Sequence, residues 1–485
     1  MNKWIGQLIY PFFVLLSGSL NGQSPLPSHY QKVLNLQFEQ VQQTSPNVTA
    51  DIPGFDLYVQ NLSEVTQLIF SESKAAYDSL RKNEKSRLKT LKNATTPSPY
   101  NDFFRAEIKI QWAFTKIKFG EQWGATWALR SAYKIIKRNI EQYPDFDLNY
   151  KSLGLLHVIF GAVPDSYRWV LGILGLEGDT QKGLEQLYGL LEEPTLFQKE
   201  IRLVTAMVES YLMENHEAAL ELMQDDPRQL SHIERYGLAL VMMKSHQSAR
   251  AARLLKLSLN DLPASSPALP LFHYLMAETE FQAGHYARAS QHYTRFTNSF
   301  EGINHLKDAY FKLSLSARQL KNSQESQSSL QKALALKTTD AEADKNAQKL
   351  METKPFPNFA LLQVRFGIDG GYYQFADSLL QNLTMTDLPD YQQFELIYRK
   401  ARLQHLQQNY EQAIPYYEQV IAKEKEMPED YFVPNSYLQL GYLQLELGNE
   451  AQARAYFEKV LTFRKHPYKN SLDSKAKIAL KGLQK

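Results

Sequence analysis

Eleven histidines make metal and acid–base chemistry the first possibility to weigh. Residues 216–220, His-Glu-Ala-Ala-Leu, open like the zinc-protease pattern H-E-x-x-H. That chemistry needs two imidazoles one helical turn apart, holding a metal beside a basic glutamate. Leu220 stands where the second histidine is required, so the pattern fails. His285 and His292 are seven residues apart, roughly on one helical face but too far apart along the axis to share an ion. His157 lies in an apolar run and reads as a buried, hydrogen-bonded histidine. Gly172, Gly175 and Gly178 lack the preceding strand that a phosphate loop needs, and no G-x-S-x-G, Walker or dinucleotide pattern occurs. With no cysteine there is no thiol nucleophile, thiolate zinc site, iron–sulfur cluster, disulfide or lipid-modified N-terminal cysteine. The expectation is a chain that is not an enzyme and has no metal and no cofactor.

Recognition is the remaining chemistry. The chain holds 28 Tyr and 25 Phe; those at repeat positions such as Tyr293, Tyr417 and Phe457 read as core, and part of the rest is left to contact a ligand. Tyr372, Tyr373, Tyr391, Tyr416 and Tyr442 are expected to face a groove, where Tyr supplies contact area at low entropy cost. Charge sums to +2 but is uneven. Between Lys74 and Lys92 seven basic residues face two acids, and between Glu177 and Asp226 twelve acids face three Lys or Arg. These runs read as solvated helix faces or as patches that orient a charged partner. They do not form a nucleic-acid module, so no nucleic acid is expected as partner.

Those residues sit on a repeated element. In 437–461, YLQLGYLQLELGNEAQARAYFEKVL, Gly441 and Ala453 let two antiparallel helices approach while Tyr437 and Phe457 fill the space between them. Gly448-Asn449 breaks the chain between the helices. The same frame recurs with Ala401, Ala413, Tyr417 and Val420, and with Ala277, Gly284, Ala289, Tyr293 and Phe296. Weaker copies centre on Ala219, Ala251, Ser326 and Ala376. The second-helix small residues Ala219, Ala251, Ala289, Ser326, Ala376, Ala413 and Ala453 are spaced by 32, 38, 37, 50, 37 and 40 residues. Paired helices at such a period resemble the tetratricopeptide-repeat family. The long gap holds a polar run, Lys337 to Lys354, followed by Pro355 and Pro357, and reads as a lengthened helix and loop or a junction between repeat blocks. The N-terminal third is helical but less regular, with runs expected at 30–43, 56–92, 101–119, 124–142 and 147–162. Residues 154–187, with their Gly, Pro and Asp placement, also resemble a segment of the eukaryotic inclusion body clearance family of the mitochondrial outer membrane. That resemblance implies that N-terminal helices and repeats form one unit. From Leu153 to Leu176 the chain is almost wholly apolar and reads as an internal helix pair broken at Pro164, with a partner- or membrane-contacting surface as the alternative.

The first residues read as a targeting signal. Lys3 precedes an apolar run from Trp4 to Leu16, then Ser17, Gly18 and Ser19, with cleavage after Ser19 or Gly22. The expected architecture is all-α: a superhelical solenoid of antiparallel helix pairs with an irregular N-terminal helical block. Its parts are a signal peptide at 1–22, the block at 23–192, about seven repeats at 193–470, and a capping helix or tail at 471–485. The expected function is an exported, non-catalytic scaffold that binds a protein or peptide in its concave groove, periplasmic or outer-membrane-associated if bacterial, and not a lipoprotein. Peripheral membrane association is compatible with it; a transmembrane span after signal removal is not. The alternative is a glycan-binding component of an outer-membrane uptake system.

Overall fold

The computed structural model describes residues 27–41, 52–163, 168–426 and 431–483. The apolar N-terminal run and Pro164 lie outside them. No strand occurs among the described residues, and the fold is all-α.

The described residues fall into two compact units. The first runs to Ser245 and includes Arg250–Glu278 and Tyr286–Lys349. It begins with α1 (Ser28–Leu34), α2 (Phe38–Val41), α3 (Phe55–Ser71) and α4 (Lys74–Lys92), then the long pair α5 (Pro99–Lys118) and α6 (Gln122–Gln142). Next come α7 (Asn149–Gly161), the short α8 (Arg168–Leu174), α9 (Thr180–Gly189), and α10 (Gln198–Val208) with α11 (His216–Glu221). Three helix pairs follow: α12 (His232–Lys244) with α13 (Ser248–Asp261), α14 (Leu269–Gln282) with α15 (Tyr286–Ser299), and α16 (Leu306–Gln319) with α17 (Ser323–Ala335). The polar run is helical as α18 (Glu342–Glu352), and the boundary between the units falls within it, after Lys349. The second unit gathers residues 246–249 and 279–285 with Leu350–Lys485. Its pairs are α19 (Phe359–Gly370) with α20 (Tyr373–Gln381), α21 (Asp390–Leu406) with α22 (Tyr410–Ile421), and α23 (Phe432–Glu446) with α24 (Glu450–Thr462), before α25 (Lys469–Gly482).

The small-residue frame is the core of these pairs. Ala219, Ala251, Ala289, Ala376, Ala413 and Ala453 are fully buried, as are their aromatic companions Tyr293, Tyr417 and Phe457. The close approach is literal at Gly441, where an added Cβ would stand 2.4 Å from the Phe457 ring. Ser326 departs from Ala without breaking the frame: half-buried, its hydroxyl donates to the Ser314 carbonyl of the facing helix at 3.0 Å. Gly448 ends α23 with φ +76°, a left-handed turn that glycine adopts without steric cost.

Two expectations about the N-terminal third are corrected. The 56–92 run is two helices, because Glu72 takes a left-handed conformation at φ 51° and the Ser73 hydroxyl caps α4 by accepting from the Ala76 amide. The Glu72 carboxylate is held in that bend by a buried ion pair with Lys118 at 2.6 Å and by the Asn304 side-chain amide at 2.7 Å. The 30–43 run likewise breaks at Leu36, φ 56°.

The apolar stretch from Leu153 to Leu176 is divided in its environment. α7 is buried along its whole length, packed on α9 through glycines. A Cβ on Gly183 would lie 2.5 Å from the Gly154 carbonyl, and one on Gly178 would lie 2.2 Å from the Phe160 backbone. Asp179 caps α9 and its amide donates to the His157 carbonyl at 3.1 Å. The Gly and Asp placement of this segment thus serves one helix–helix contact. α8 is different: Trp169 is 65% and Ile173 72% exposed, so the expected buried pair holds for its first helix only.

α3 does not stay within the N-terminal block. Near its C-terminal end, Phe70 packs edge-on against Tyr236 of α12 at 5.1 Å and stacks on Phe272 of α14 at 6.3 Å. With Glu72 on Asn304, the end of α3 touches the first helix of two successive pairs and the lead into a third.

Candidate functional site

Buried titratable groups come first, because a catalytic site would be found among them. Lys151 on α7 is 4% exposed and lies between two carboxylates, Glu107 of α5 and Glu200 of α10, the latter at 2.9 Å. Tyr58 donates to both Glu200 oxygens at 2.8 Å, Tyr30 donates to the same carboxylate, and Ser152 donates to Glu107. Burial pushes the Lys151 ammonium down, but the charges of Glu107 and Glu200 outweigh it and hold its pKa above the ordinary value. Burial, then the charge of Glu200, pushes both phenols up, so they remain donors. A lysine held protonated this way has no lone pair for nucleophilic or basic chemistry.

The repeats contain a second cluster of the same kind. Lys312 bonds Glu278 at 2.6 Å and Asp308 at 2.9 Å, while Tyr274 donates to Asp308 at 2.8 Å and Tyr293 donates to Glu278. Burial raises Glu278 despite the opposing charge of Lys312. Lys151 of α7 joins carboxylates of α5 and α10, and Lys312 of α16 joins Glu278 of α14 while also pairing with Asp308 on its own helix, so both clusters act as ion locks between helices.

The histidines are also accounted for locally. His157 is buried and its Nδ1 lies 2.9 Å from Gln186 Oε1. His292 faces His273, Nδ1 to Nδ1 at 2.9 Å, and His285 pairs with Glu280. His216 begins α11, with Leu220 a turn later. Among the described residues, no group of three or more His, Asp or Glu side chains could hold a metal ion.

The tyrosines expected in a groove are spread over separate clusters of the second unit. Tyr373 is half-buried against the core of α19–α21, Tyr416 against that of α21–α23, and Tyr442 against that of α23–α25, edge-on to Phe457 at 5.3 Å. Tyr372 is half-buried at the start of α20. The side chain of Tyr391 lies outside the described residues. These side chains do not converge on one point; each flanks its own pair.

The sequence reading missed that α6 shares an exposed surface with α8, the part of 153–176 for which a contact surface was the alternative. Trp123 is 65% and Trp127 55% exposed, one turn apart on α6, while Trp169 and Ile173 stand one turn apart on α8. Arg130 joins the two helices: its Nε donates to the Leu174 carbonyl at 2.8 Å, and its guanidinium lies 5.5 Å from the Trp127 ring. Tyr133 on the buried side of α6 donates to Glu177 at 3.3 Å. Trp127, Arg130, Ser131, Lys134, Ile135 and Arg138 line a shallow recess of about 240 Å3. The signal in the sequence was compositional: three of five tryptophans fall between residues 123 and 169.

The tetratricopeptide-repeat family matches residues 393–466 and 307–340. Tetratricopeptide repeats over these two stretches make the chain a helical-repeat scaffold. No curated protein matches it. Among solved structures it is similar to the human IFIT1 dimer with PPP-AAAA, at 13% identity over 93% of this chain and 99% of that one, TM-score 0.33. It is also similar to yeast Tom70, at 14% identity over 94% and 88%, TM-score 0.22. A third is Cut9–Hcn1 of the APC/C, at 13% identity over 94% and 95%, TM-score 0.24. At these scores nothing about this chain's partner follows from any of them.

Proposed function

We propose that the chain is an exported, non-catalytic scaffold that binds a protein or peptide along its tetratricopeptide pairs. The tandem of helix pairs over 393–466, within the second unit, carries this reading, since stacked pairs present an extended surface suited to an extended or helical ligand. The engagement of Lys151 and Lys312 in ion locks supports a non-catalytic role. In the first unit, α3 already covers part of the face made by the first helices of the pairs. The partner is therefore assigned to the second unit, along α19, α21 and α23, flanked by Tyr372, Tyr373, Tyr416 and Tyr442. Export rests on Lys3 and the apolar run that follows it.

Photo-crosslinking from positions 372, 416 and 442 of the full chain in its native cell tests the binding reading. Cross-links to one protein at two or more positions support it. Their absence, with binding on a glycan array, would favour the carbohydrate-binding alternative, and retained RNA would count against the exclusion of nucleic acid. Cell fractionation with N-terminal sequencing tests export and separates cleavage after Ser19 from cleavage after Gly22.

A further inference from the structure

The exposed face of α6 has an order along the helix. Positions 123, 127, 130, 134, 137 and 138 share one side at helical spacing, with Trp123 and Trp127 in the N-terminal half and Arg130, Lys134, Lys137 and Arg138 in the C-terminal half. Lys134 and Lys137 are exposed; Arg138 is exposed and pairs with Asp102 of α5. Glu141, also exposed, is the one acid at the end of this side. The opposite side of α6, including Ala128, Leu129, Ala132 and Ile136, is buried. Exposed Trp169 and Ile173 of α8 extend the apolar part, because Arg130 fastens the end of α8 to α6.

We propose that α6 and α8 form a peripheral docking surface for an anionic lipid bilayer. Trp123, Trp127, Trp169 and Ile173 enter the headgroup region, and Lys134, Lys137 and Arg138 face the anionic headgroups. Three features favour a bilayer over a protein partner. Tryptophan beside lysine and arginine is the composition that settles at a membrane–water interface, where the ring is half in hydrocarbon and the cation in water. The rings are exposed, and the recess beside Trp127, about 240 Å3 and lined by Arg130, Lys134 and Arg138, suits a phosphate-bearing headgroup rather than a protein element. Among the described side chains of α8, the exposed ones are Trp169 and Ile173, an apolar pair whose one polar atom is the indole N–H, the group that sits at the headgroup level when a tryptophan ring enters a bilayer. No described helix is long and apolar enough to cross a membrane, so this contact is interfacial.

Flotation of the full chain with phosphatidylcholine vesicles, with and without phosphatidylglycerol, tests the proposal, read together with tryptophan emission. Three of the five tryptophans are on this surface and Trp112 is buried, so docking shifts the emission to the blue. The wild type is expected to float with anionic vesicles only and to dissociate at high salt, where screening shortens to a few ångströms. Trp123→Ser/Trp127→Ser/Trp169→Ser should weaken binding by at least about tenfold, as expected for losing several interfacial rings. Lys134→Glu/Lys137→Glu should abolish the preference for anionic vesicles. Trp4 stays in place in every variant, so any contribution of the N-terminus is common to all. Should a variant fail to fold by circular dichroism, quenching of the wild-type emission by brominated lipid reads the same contact. Flotation that the tryptophan variant retains, absence of flotation and quenching altogether, or loss of a protein partner without any vesicle binding would each overturn the proposal. Cross-links from positions 372, 416 and 442 are unaffected either way.

Discussion

Lys151 and its two carboxylates make an interaction that is worth little as a whole and much when broken. Removing one member of a buried ion pair leaves an uncompensated charge, which typically costs about 3–5 kcal/mol. Lys151→Met should therefore lower the unfolding free energy by about that amount in urea titration, since Glu107 and Glu200 would then repel each other. Glu107→Gln/Lys151→Met/Glu200→Gln should recover part of the loss; a loss below about 1 kcal/mol for Lys151→Met would show that the cluster is hydrated and no lock. His405 makes a second prediction at this scale. Burial, with the nearby charge of Arg402, lowers its pKa to about 3, and its Nδ1 lies 3.1 Å from the Tyr417 hydroxyl. Between that value and the ordinary 6.5, the unfolded chain binds a proton that the folded chain does not. Stability therefore falls on acidification across that window, by at most about 1.4 kcal/mol per pH unit for this group. His405→Gln should make the pH dependence of the urea midpoint between pH 6.5 and 4 shallower by this one group's share, the other buried histidines such as His232 and His273 keeping theirs; an unchanged slope would mean the imidazole titrates freely. Of these residues the histidines were flagged by type alone. The lysine lock was not, because nothing in the local sequence around Lys151 announces carboxylates 44 and 49 positions away.

Helix pairs are the scale at which sequence was most readable. Small residues at a regular period mark where two neighbouring helices touch, and that contact depends on residues within one repeat, so Ala289, Ala413, Gly441 and Ala453 could be placed in the core from spacing. The α7–α9 contact follows the same rule with glycine, and it supplies a paired test. Gly183→Ala drives a methyl into the Gly154 carbonyl and the Val158 amide, 2.5 and 2.7 Å away, and should cost at least about 1–3 kcal/mol. Gly172→Ala on α8 meets nothing within 4 Å and should leave stability equal or raise it, by up to about 1 kcal/mol, through helix propensity. Equal thermal shifts in the two variants would mean that α7 and α9 are not in close contact. The break of 56–92 at Glu72 was less readable, since a Ser cap within an otherwise helical run competes with continuation, and here the distant partners Lys118 and Asn304 decide it.

A solenoid in the strict sense has repeats that touch only their neighbours. The first unit departs from that: Tyr58 reaches Glu200 across 142 residues, and Glu72 reaches Asn304 across 232. Glu72→Gln should therefore reduce amide-exchange protection around 302–309 as well as around 115–118. A loss confined to residues near 72 and 118 would show that α3 is not part of the repeat face. The repeated pairs, the turn glycines and the all-α class were determined by sequence alone, because each depends on helical periodicity and on contacts within a few dozen residues. What covers the pairs was decided only in three dimensions. α3 lies across the first helices of its unit, α7 is buried while α8 is not, and the tryptophans of α6 and α8 share one surface. Exposure is a property of what folds back from a distance, and two apolar segments of equal composition carry no mark of which will be covered.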